Sequence, residues 1–298
     1  MRAVVTGGAG FIGSHVVDAL LARGDDVHVI DNLATGRRQN LSDAATLHER
    51  DIREDLEPLF AEIRPERVVH LAAQADVGTS VARPRFDAEV NVLGTLSVLE
   101  AARPHGAAIV FSSTGGAIYG ECTEPASERS ERRPLSPYGT SKLAGEEYLA
   151  TWNRLYGTAH VTLRLANVYG PRQLAKLEGG VVAIFLDRLR AGEPVTIFGD
   201  GEQVRDFVYV GDVVAAMLAA GGAGGGTYNV GTGRATSVNE LWQTCARVAG
   251  SRTEPSYADP RPGDIERSVL DAGLARTVLG WEARTSLEDG LRQTWESV

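Results

Sequence analysis

The chain has 298 residues, of which 43% are hydrophobic and 23% charged, values typical of one large globular domain or of two closely joined ones. Its net charge of −9 at pH 7 makes nucleic acid and anionic membranes poor partners. The two cysteines lie far apart and outside any Cys/His cluster, so we expect reduced thiols and no metal site. No apolar run is as long as a membrane span, and the first strand leaves no room for a signal peptide, so we expect a cytoplasmic protein.

The first predicted elements are a short apolar strand, a glycine-rich turn and a helix. Gly7 permits the tight turn, Gly10 lets the backbone approach a pyrophosphate, and Gly13 lets the helix pack close to the strand. The free N–H groups at the start of the helix then meet the phosphates. Glycine spacing alone is weak evidence, because a strand-to-helix turn without a ligand has the same pattern.

A second apolar run strengthens the dinucleotide interpretation. It ends at Asp31, 18 residues after Gly13, where a carboxylate can accept hydrogen bonds from an adenosine ribose. The same charge repels a 2′-phosphate, a preference that Arg37 and Arg38 weaken slightly. The two features together predict bound NAD rather than NADP.

Strand-like and helix-like segments alternate up to about residue 165. Strands are expected at 2–6, 26–30, 46–50, 67–71, 107–112 and 160–165, and helices at 11–22, 55–63, 84–104 and 137–156. This alternation predicts an α/β fold with a Rossmann-type, doubly wound parallel sheet, whose ligands lie at the carboxyl ends of the strands.

The helix at 137–156 carries the most informative chemical pattern. Tyr138 and Lys142 are four residues apart, so both side chains lie on one helical face. A free phenol titrates at about pH 10, and a nearby ammonium lowers that pKa by roughly one to three units. We therefore expect Tyr138 to accept a proton from a sugar or alcohol hydroxyl. A helix with no catalytic role can carry the same spacing.

The strand before this helix ends in hydroxyl residues, Ser112, Ser113 and Thr114. A hydroxyl just beyond the strand's carboxyl end reaches the oxygen on the reacting carbon and holds it. An ordinary Ser/Thr turn is the alternative interpretation.

After about residue 170 the alternation becomes irregular. Helices are expected at 180–191, 211–220, 237–249, 271–279 and 287–297, and strands at 195–198, 206–209, 226–230 and 254–258. This pattern predicts a smaller mixed α/β region that closes over the first and supplies the substrate pocket. We therefore divide the chain into an NAD-binding domain, 1–170, and a substrate-binding region, 171–298, with an interleaved boundary.

These motifs, in this order, resemble the extended short-chain dehydrogenases/reductases. The resemblance rests on the glycine turn, Asp31-Asn32-Leu33, Asp51-Ile52, 70–74, Asn91, 112–119 and the Tyr138/Lys142 pair. Segments 163–172, 198–213 and 261–264 resemble the nucleotide-sugar branch. The resemblance covers nearly the whole chain. Among the NAD-dependent epimerases/dehydratases, the sequence is similar to the UDP-glucose 4-epimerases.

The resemblance implies roles for the matching positions. Its catalytic residues are Thr114, Tyr138 and Lys142, with Ser113 left open because one extra glycine before Ala117 shifts the register. The implied NAD contacts, of which Asp51 and Ile52 face the adenine, are Gly7, Gly10, Phe11, Ile12, Gly13, Asp31, Asn32, Asp51, Ile52, Leu71, Ala72, Ala73, Gln74, Asn91, Ser112, Tyr138 and Lys142. The implied substrate contacts are Thr114, Tyr138, Asn167, Val182, Arg205, Arg261 and Asp264. The two arginines also make independent sense, because a diphosphate needs fork-shaped, permanently charged donors.

The implied reaction is the 4-epimerisation of a UDP-hexose, UDP-glucose to UDP-galactose, on tightly bound NAD. Tyr138 takes the proton of the sugar 4-hydroxyl, C4 gives up its hydride to NAD, and the 4-keto sugar turns over and regains the hydride on its other face. No net redox change results.

Several alternatives remain. Dehydratases and decarboxylases of this fold carry acidic residues directly after the catalytic Thr, whereas Gly115 and Gly116 follow here. UDP-glucuronate 4-epimerases tend to show Thr where Asn167 stands, and the small Ser268 would admit an N-acetyl group, so UDP-glucuronate and UDP-N-acetylglucosamine stay open. A non-catalytic NAD sensor typically lacks the Tyr/Lys pair that is present here.

A homodimer is also expected by resemblance. Leu143, Tyr148, Leu149 and Trp152 are candidates to pack against the same helix of a second subunit. The alternative is that they face the sheet.

Overall fold

The computed structural model describes residues 1–175, 180–260 and 265–297. In chain order, the strands are β1 (Arg2–Thr6), β2 (Asp26–Asp31), β3 (Thr46–Glu49), β4 (Arg67–His70), β5 (Ala108–Thr114), β6 (Val161–Leu165), β7 (Asn167–Tyr169), β8 (Thr196–Phe198), β9 (Val204–Arg205), β10 (Phe207–Tyr209), β11 (Gly226–Val230), β12 (Thr236–Ser237), β13 (Ser256–Ala258) and β14 (Arg267–Ser268). The helices are α1 (Phe11–Ala22), α2 (Glu57–Ile63), α3 (Val77–Ala82), α4 (Pro84–Ala88), α5 (Gly94–Ala102), α6 (Gly115–Ile118), α7 (Pro137–Tyr156), α8 (Val181–Ala191), α9 (Val210–Ala220), α10 (Val238–Val248) and α11 (Leu287–Glu296), with π-helical turns at Glu89–Leu93 and Ala275–Leu279. None of the helices in these ranges is long and apolar enough to cross a membrane.

Seven strands form one sheet in the order β3-β2-β1-β4-β5-β6-β11, and every neighbouring pair is parallel. The strand order reverses between β1 and β4, which is the switch point where ligands bind in open α/β sheets. The predicted Rossmann-type sheet is therefore confirmed, and its ligand-binding edge is fixed by the topology.

Apolar clusters cover both faces of this sheet. Successive residues of a strand point to opposite faces, so Val5 packs with α1 and α9 whereas Val4 packs with α2, α5 and α7. Both valines have no exposed surface. Complete burial of each such side chain contributes about 1.5–3 kcal/mol, which explains why the strands read as continuous apolar runs.

A third apolar cluster lies in the C-terminal part of the chain, where α8, α10 and α11 pack on β10. Two elements that lie between α8 and α11 in the chain belong to the large sheet instead. The strand β11 extends its edge beside β6, and α9 covers one of its faces. The strands β12, β9 and β14 form a separate small sheet, in which β12 pairs antiparallel and β14 parallel with β9. The division of the chain at residue 170 stays a proposal.

The main differences from the predicted elements concern short segments. The strands β7, β9, β12 and β14 have two or three residues, too few to show a periodic pattern. The helix expected at 84–104 is α4, a π-helical turn and α5 in succession. At the start of α5, a Cβ on Gly94 would lie 2.6 Å from Ile52 Cδ1, so this glycine allows the helix to approach the cleft wall.

Candidate active site

A cleft of about 720 Å³ crosses the carboxyl ends of β1, β2, β4 and β5, and its volume is in the usual range for small-molecule sites. It brings together most of the residues predicted for NAD and catalysis: Gly7, Gly10, Phe11, Ile12, Gly13, Asp31, Asn32, Asp51, Ile52, Leu71, Ala72, Ala73, Gln74, Ser112, Thr114, Tyr138 and Lys142. These residues come from segments up to 135 positions apart in the chain, between Gly7 and Lys142.

The glycine turn fits a pyrophosphate. Gly7 has a φ of +70°, and a Cβ there would lie 2.7 Å from the backbone nitrogen of Ala72. A Cβ on Gly13 would lie 2.1 Å from the carbonyl oxygen of Gly7, so side chains are excluded at both positions. Gly10 begins α1 without a side-chain cap, which leaves the first N–H groups of the helix for an anion.

Asp31 connects this turn to the end of β2. Its carboxylate accepts hydrogen bonds from the N–H of Leu33 at 2.8 Å and of Ala9 at 2.9 Å. Burial raises the pKa of Asp31, and the two N–H donors oppose that rise. The carboxylate faces the cleft from the position expected for recognition of an adenosine ribose.

Asp51 carries a partner that the sequence reasoning missed. It accepts hydrogen bonds from Arg53 Nε at 2.9 Å and Nη2 at 2.8 Å, and from Asn32 Nδ2 at 2.8 Å. The Arg53 guanidinium holds the pKa of this carboxyl well below its usual range. Ser113, the alternative candidate for the catalytic hydroxyl, also lines the cleft. Other cleft residues that were not predicted are Ile30, Ala34, Thr35, Arg50, Ala75, Asp76, Thr79, Phe86, Val90, Leu165, Ala166, Val168 and Gln173.

The start of α7 fixes the positions of Tyr138 and Lys142, the predicted catalytic pair. The Ser136 hydroxyl caps the helix by accepting from the N–H of Gly139 at 3.2 Å. One turn later, Lys142 is 3% exposed, and its Nζ donates to the carbonyl of Ser112 at 2.9 Å. The Thr114 hydroxyl lies close enough to the phenol of Tyr138 to lower its pKa. The three predicted catalytic residues therefore meet at the carboxyl end of β5.

Burial controls the protonation of this pair. It raises the pKa of Tyr138 to about 12, and the Asp87 carboxylate adds to that rise while the Thr114 hydroxyl opposes it. Burial also lowers the pKa of Lys142 to about 8, against the opposing charges of Asp87 and Glu146. The predicted lowering of the Tyr138 pKa is therefore wrong for the protein by itself, because desolvation and the Asp87 charge together outweigh the opposing effect of Thr114.

Three polar side chains from different strands, those of Thr114, Asn167 and Ser268, converge around Gly116. A Cβ on Gly116 would lie 3.5 Å from Asn167 Oδ1, 3.9 Å from Thr114 Oγ1 and 4.0 Å from Ser268 Oγ. Arg205 lies opposite Ser268 in the β9–β14 register. The small residues at 116 and 268 leave space next to the Thr114 hydroxyl, and the C-terminal strands supply part of the wall of this space.

The remaining predicted residues differ in their placement. Val182 is 2% exposed inside the third apolar cluster, so its side chain is unavailable to a ligand and only its N–H in the first turn of α8 remains. Asn91 lies behind the cleft wall, where its amide nitrogen donates to the Gln74 carbonyl at 2.9 Å. Arg261 and Asp264 lie outside the described residues.

Comparisons with known proteins agree with this site. The model of the NAD dependent epimerase/dehydratase family matches residues 3–231. The UDP-glucose 4-epimerase of Mycolicibacterium smegmatis is 48% identical, with 99% of this chain and 98% of that protein covered. The structure of a UDP-glucose 4-epimerase from Thermotoga maritima with UDP-glucose is 49% identical at a TM-score of 0.97, and covers 100% of this chain and 98% of its own. That of Thermus thermophilus UDP-glucose 4-epimerase with NAD is 48% identical at a TM-score of 0.94, with the same coverage. The chain therefore belongs to the NAD dependent epimerase/dehydratase family.

Proposed function

We propose that the chain is a UDP-hexose 4-epimerase that interconverts UDP-glucose and UDP-galactose on tightly bound NAD. The observation that carries this proposal is the meeting of Thr114, Tyr138 and Lys142 in the same cleft as the glycine turn and Asp31. The family membership and the activities named for its close relatives support it.

The chain's own residues have distinct parts in this reaction. The Tyr138 oxygen accepts the proton of the sugar 4-hydroxyl, and the Thr114 hydroxyl holds the same oxygen while C4 changes geometry. The Lys142 ammonium stabilises the phenolate form of Tyr138. NAD, when bound, supplies a reversible hydride acceptor and a positive charge beside the phenol. Arg205 and Arg261 are proposed to hold the diphosphate, so that the hexose can turn while the nucleotide stays fixed.

The surroundings of Thr114 favour epimerisation over dehydration or decarboxylation. A Cβ on Gly115 would lie 2.4 Å from Leu270 Cδ1, so an acidic side chain does not fit at that position without rearrangement. Asn167 favours a neutral hexose, whereas the small Ser268 keeps UDP-N-acetylglucosamine as the second candidate substrate. UDP-glucuronate is the third.

The proposal is tested with purified protein and four substrates, UDP-glucose, UDP-galactose, UDP-glucuronate and UDP-N-acetylglucosamine, analysed by NMR while NADH absorbance is followed. We expect the 4-epimer of UDP-glucose or UDP-galactose to form fastest, without net NADH. Accumulating NADH, a 4-keto-6-deoxy product or released carbon dioxide would each contradict the proposal.

Thr114, and not Ser113, is expected to be the catalytic hydroxyl. The Thr114 hydroxyl acts on the Tyr138 phenol by lowering its pKa, whereas Ser113 is 3% exposed and its buried hydroxyl has no hydrogen-bond partner in the described chain. Thr114→Ala should therefore lower kcat by about 10²–10³-fold, and Thr114→Ser should restore most of it. Ser113→Ala is the matched comparison, and a larger kcat loss there would reverse the assignment.

We also propose a homodimer formed through the exposed side of α7 and the helices beside it. Tyr148 is 37% exposed and Leu93 56% exposed, which supports a partner surface there. Leu149 is 1% exposed in the cluster that covers the sheet, so its predicted place in the interface is wrong. Tyr148→Arg should convert a dimer to a monomer in light scattering, whereas Tyr257→Arg, on β13, should not.

A cytoplasmic location is likewise a proposal. It rests on Cys122 and Cys245, which are both free thiols. Fractionation of the producing cells, with the chain followed by antibody, tests it, and recovery outside the cytoplasmic fraction would overturn it.

A further inference from the structure

Asp87, on α4, is a buried carboxylate that the proposed reaction does not yet use. It is 1% exposed. Its Oδ1 accepts hydrogen bonds from Gln74 Nε2 at 2.9 Å and from Asn91 Nδ2 at 3.0 Å. Its Oδ2 is buried as well and has no hydrogen-bond partner among the described residues. A carboxylate with one oxygen unsatisfied is costly to bury, which points to a functional role for its charge.

Neutral amides hold this carboxylate in place. Asn91 also bonds both backbone groups of Gln74, since its Oδ1 accepts from the N–H and its Nδ2 donates to the carbonyl, each at 2.9 Å. The same amide nitrogen donates to Ser141 Oγ at 3.2 Å, which connects α7 to this cluster. The charge of Asp87 is therefore fixed in position relative to the start of α7.

The charge of Asp87 acts on two titratable groups of α7. Asp87 raises the pKa of both Tyr138 and Lys142 by its negative charge. Lys142 needs such help, because its Nζ has the Ser112 carbonyl and the face of Phe111, at 4.8 Å, as its close contacts. Glu146, one turn further along α7, is already engaged by Arg164 at 2.6 Å.

The other ionisable groups near this cluster are neutral, engaged or turned outward. His70, on β4, has a pKa lowered to about 3 by burial and is neutral between Thr6 and Thr95. Arg83 directly precedes α4, and its guanidinium carbon lies 4.4 Å from the centre of the Phe86 ring. Arg53 pairs with Asp51. Arg85 is exposed, and the half-buried carboxylate of Glu89 interacts with the charge of Arg53.

We propose that Asp87 is a positioning residue whose carboxylate, fixed by Gln74 and Asn91 beneath the start of α7, keeps Lys142 in its ammonium form inside a desolvated site. The inference rests on the proposed function, because Lys142 matters only as the partner of Tyr138. Loss of the Asp87 charge should make both Lys142 and Tyr138 deprotonate at lower pH. The acid limb of the pH profile of kcat, where Tyr138 gains a proton, and the alkaline limb, where Lys142 loses one, should then both move to lower pH.

Asp87→Asn is a sharp test because it removes the charge and keeps the shape. Its amide oxygen can still accept from Gln74 and Asn91, and its amide nitrogen replaces an oxygen that makes no hydrogen bond. With the NAD-loaded enzyme, we expect the acid and alkaline limbs of kcat to shift down by about one pH unit, a tenfold loss of activity well above the alkaline limb. Asp212→Asn, a buried carboxylate on α9 that accepts from the N–H of Thr285 at 2.9 Å, is the matched control and should leave both limbs in place.

A second readout separates this inference from the proposed function. Phenolate absorbance at high pH, taken as the difference from Tyr138→Phe, reports the Tyr138 titration whether or not the protein epimerises a sugar. A downward shift in Asp87→Asn supports the inference, and unchanged titration and limbs with a uniform loss of kcat would reduce Asp87 to a structural role. If Asp87→Asn does not fold, Asp87→Glu and Asp87→Gln are compared instead, because their side chains have equal length and differ in charge. If the two variants have the same acid and alkaline limbs, the proposal is overturned. Absence of epimerase activity in the unaltered chain would instead count against the proposed function.

Discussion

Tyr138→Phe is expected to lower kcat by about 10²–10⁴-fold while NAD stays bound, because it removes the proton acceptor and little else. The ring keeps its place at the start of α7, and the glycine turn and Asp31 are untouched. The measurement is kcat with UDP-galactose, together with the NAD content of the protein after denaturation.

Tyr228→Phe is the matched control for this change. Its phenol donates to the carbonyl of Gly225 at 2.8 Å on the edge strand β11, away from the cleft, so kcat should stay within about twofold. Retention of near-normal epimerisation by Tyr138→Phe would remove Tyr138 from the mechanism. Loss of NAD from the variant would mean that Tyr138 acts in cofactor binding first.

Glu146→Ala is expected to destabilise the protein by about 3–5 kcal/mol, because it leaves the Arg164 guanidinium charged and unpaired in the interior. Both side chains of this pair are 4% exposed. Glu146 accepts from Arg164 Nε at 3.0 and 3.1 Å and from Nη2 at 2.6 Å, and Arg164 Nη1 also donates to the Tyr119 hydroxyl at 2.7 Å. The pair therefore joins α7 to β6 one turn beyond Lys142.

The neighbouring residue supplies the control. Glu147 pairs with Arg132 at the surface and is 53% exposed, so Glu147→Ala should cost less than about 1 kcal/mol. Urea unfolding of both variants gives the two free energies. The double change Glu146→Leu/Arg164→Met should recover most of the loss, because it removes both charges together. A small effect of Glu146→Ala alone would mean that water reaches Arg164 after the substitution.

Local patterns explain what the sequence predicted well. The glycine spacing, the capped start of α7 and the placing of Tyr138 and Lys142 on one helical face depend on neighbouring residues and on the helical period, so their geometry follows from short segments. The alternation of strands and helices likewise specified a parallel sheet and the edge that carries the cleft.

Contacts between distant segments explain what it could not predict. Arg53 is only two positions from Asp51, but the Asn32 amide that also donates to Asp51 comes from 19 positions away, and nothing in the residue types indicated this cluster on the cleft wall. Leu149 and Tyr148 are adjacent in an amphipathic helix, and only the packing of α7 on the sheet decided which one is buried.

The sequence by itself therefore determined the fold class, the family and the placing of Tyr138 and Lys142 on one face of α7, because each depends on local spacing along the chain. The tertiary structure alone decided the electrostatics of the pair. Burial raises the pKa of Tyr138 and lowers that of Lys142. The charge of Asp87, which lies 51 residues before Tyr138 and 55 before Lys142 in the chain, raises the pKa of both. Desolvation depends on how completely separate segments exclude water, and no single segment carries that information.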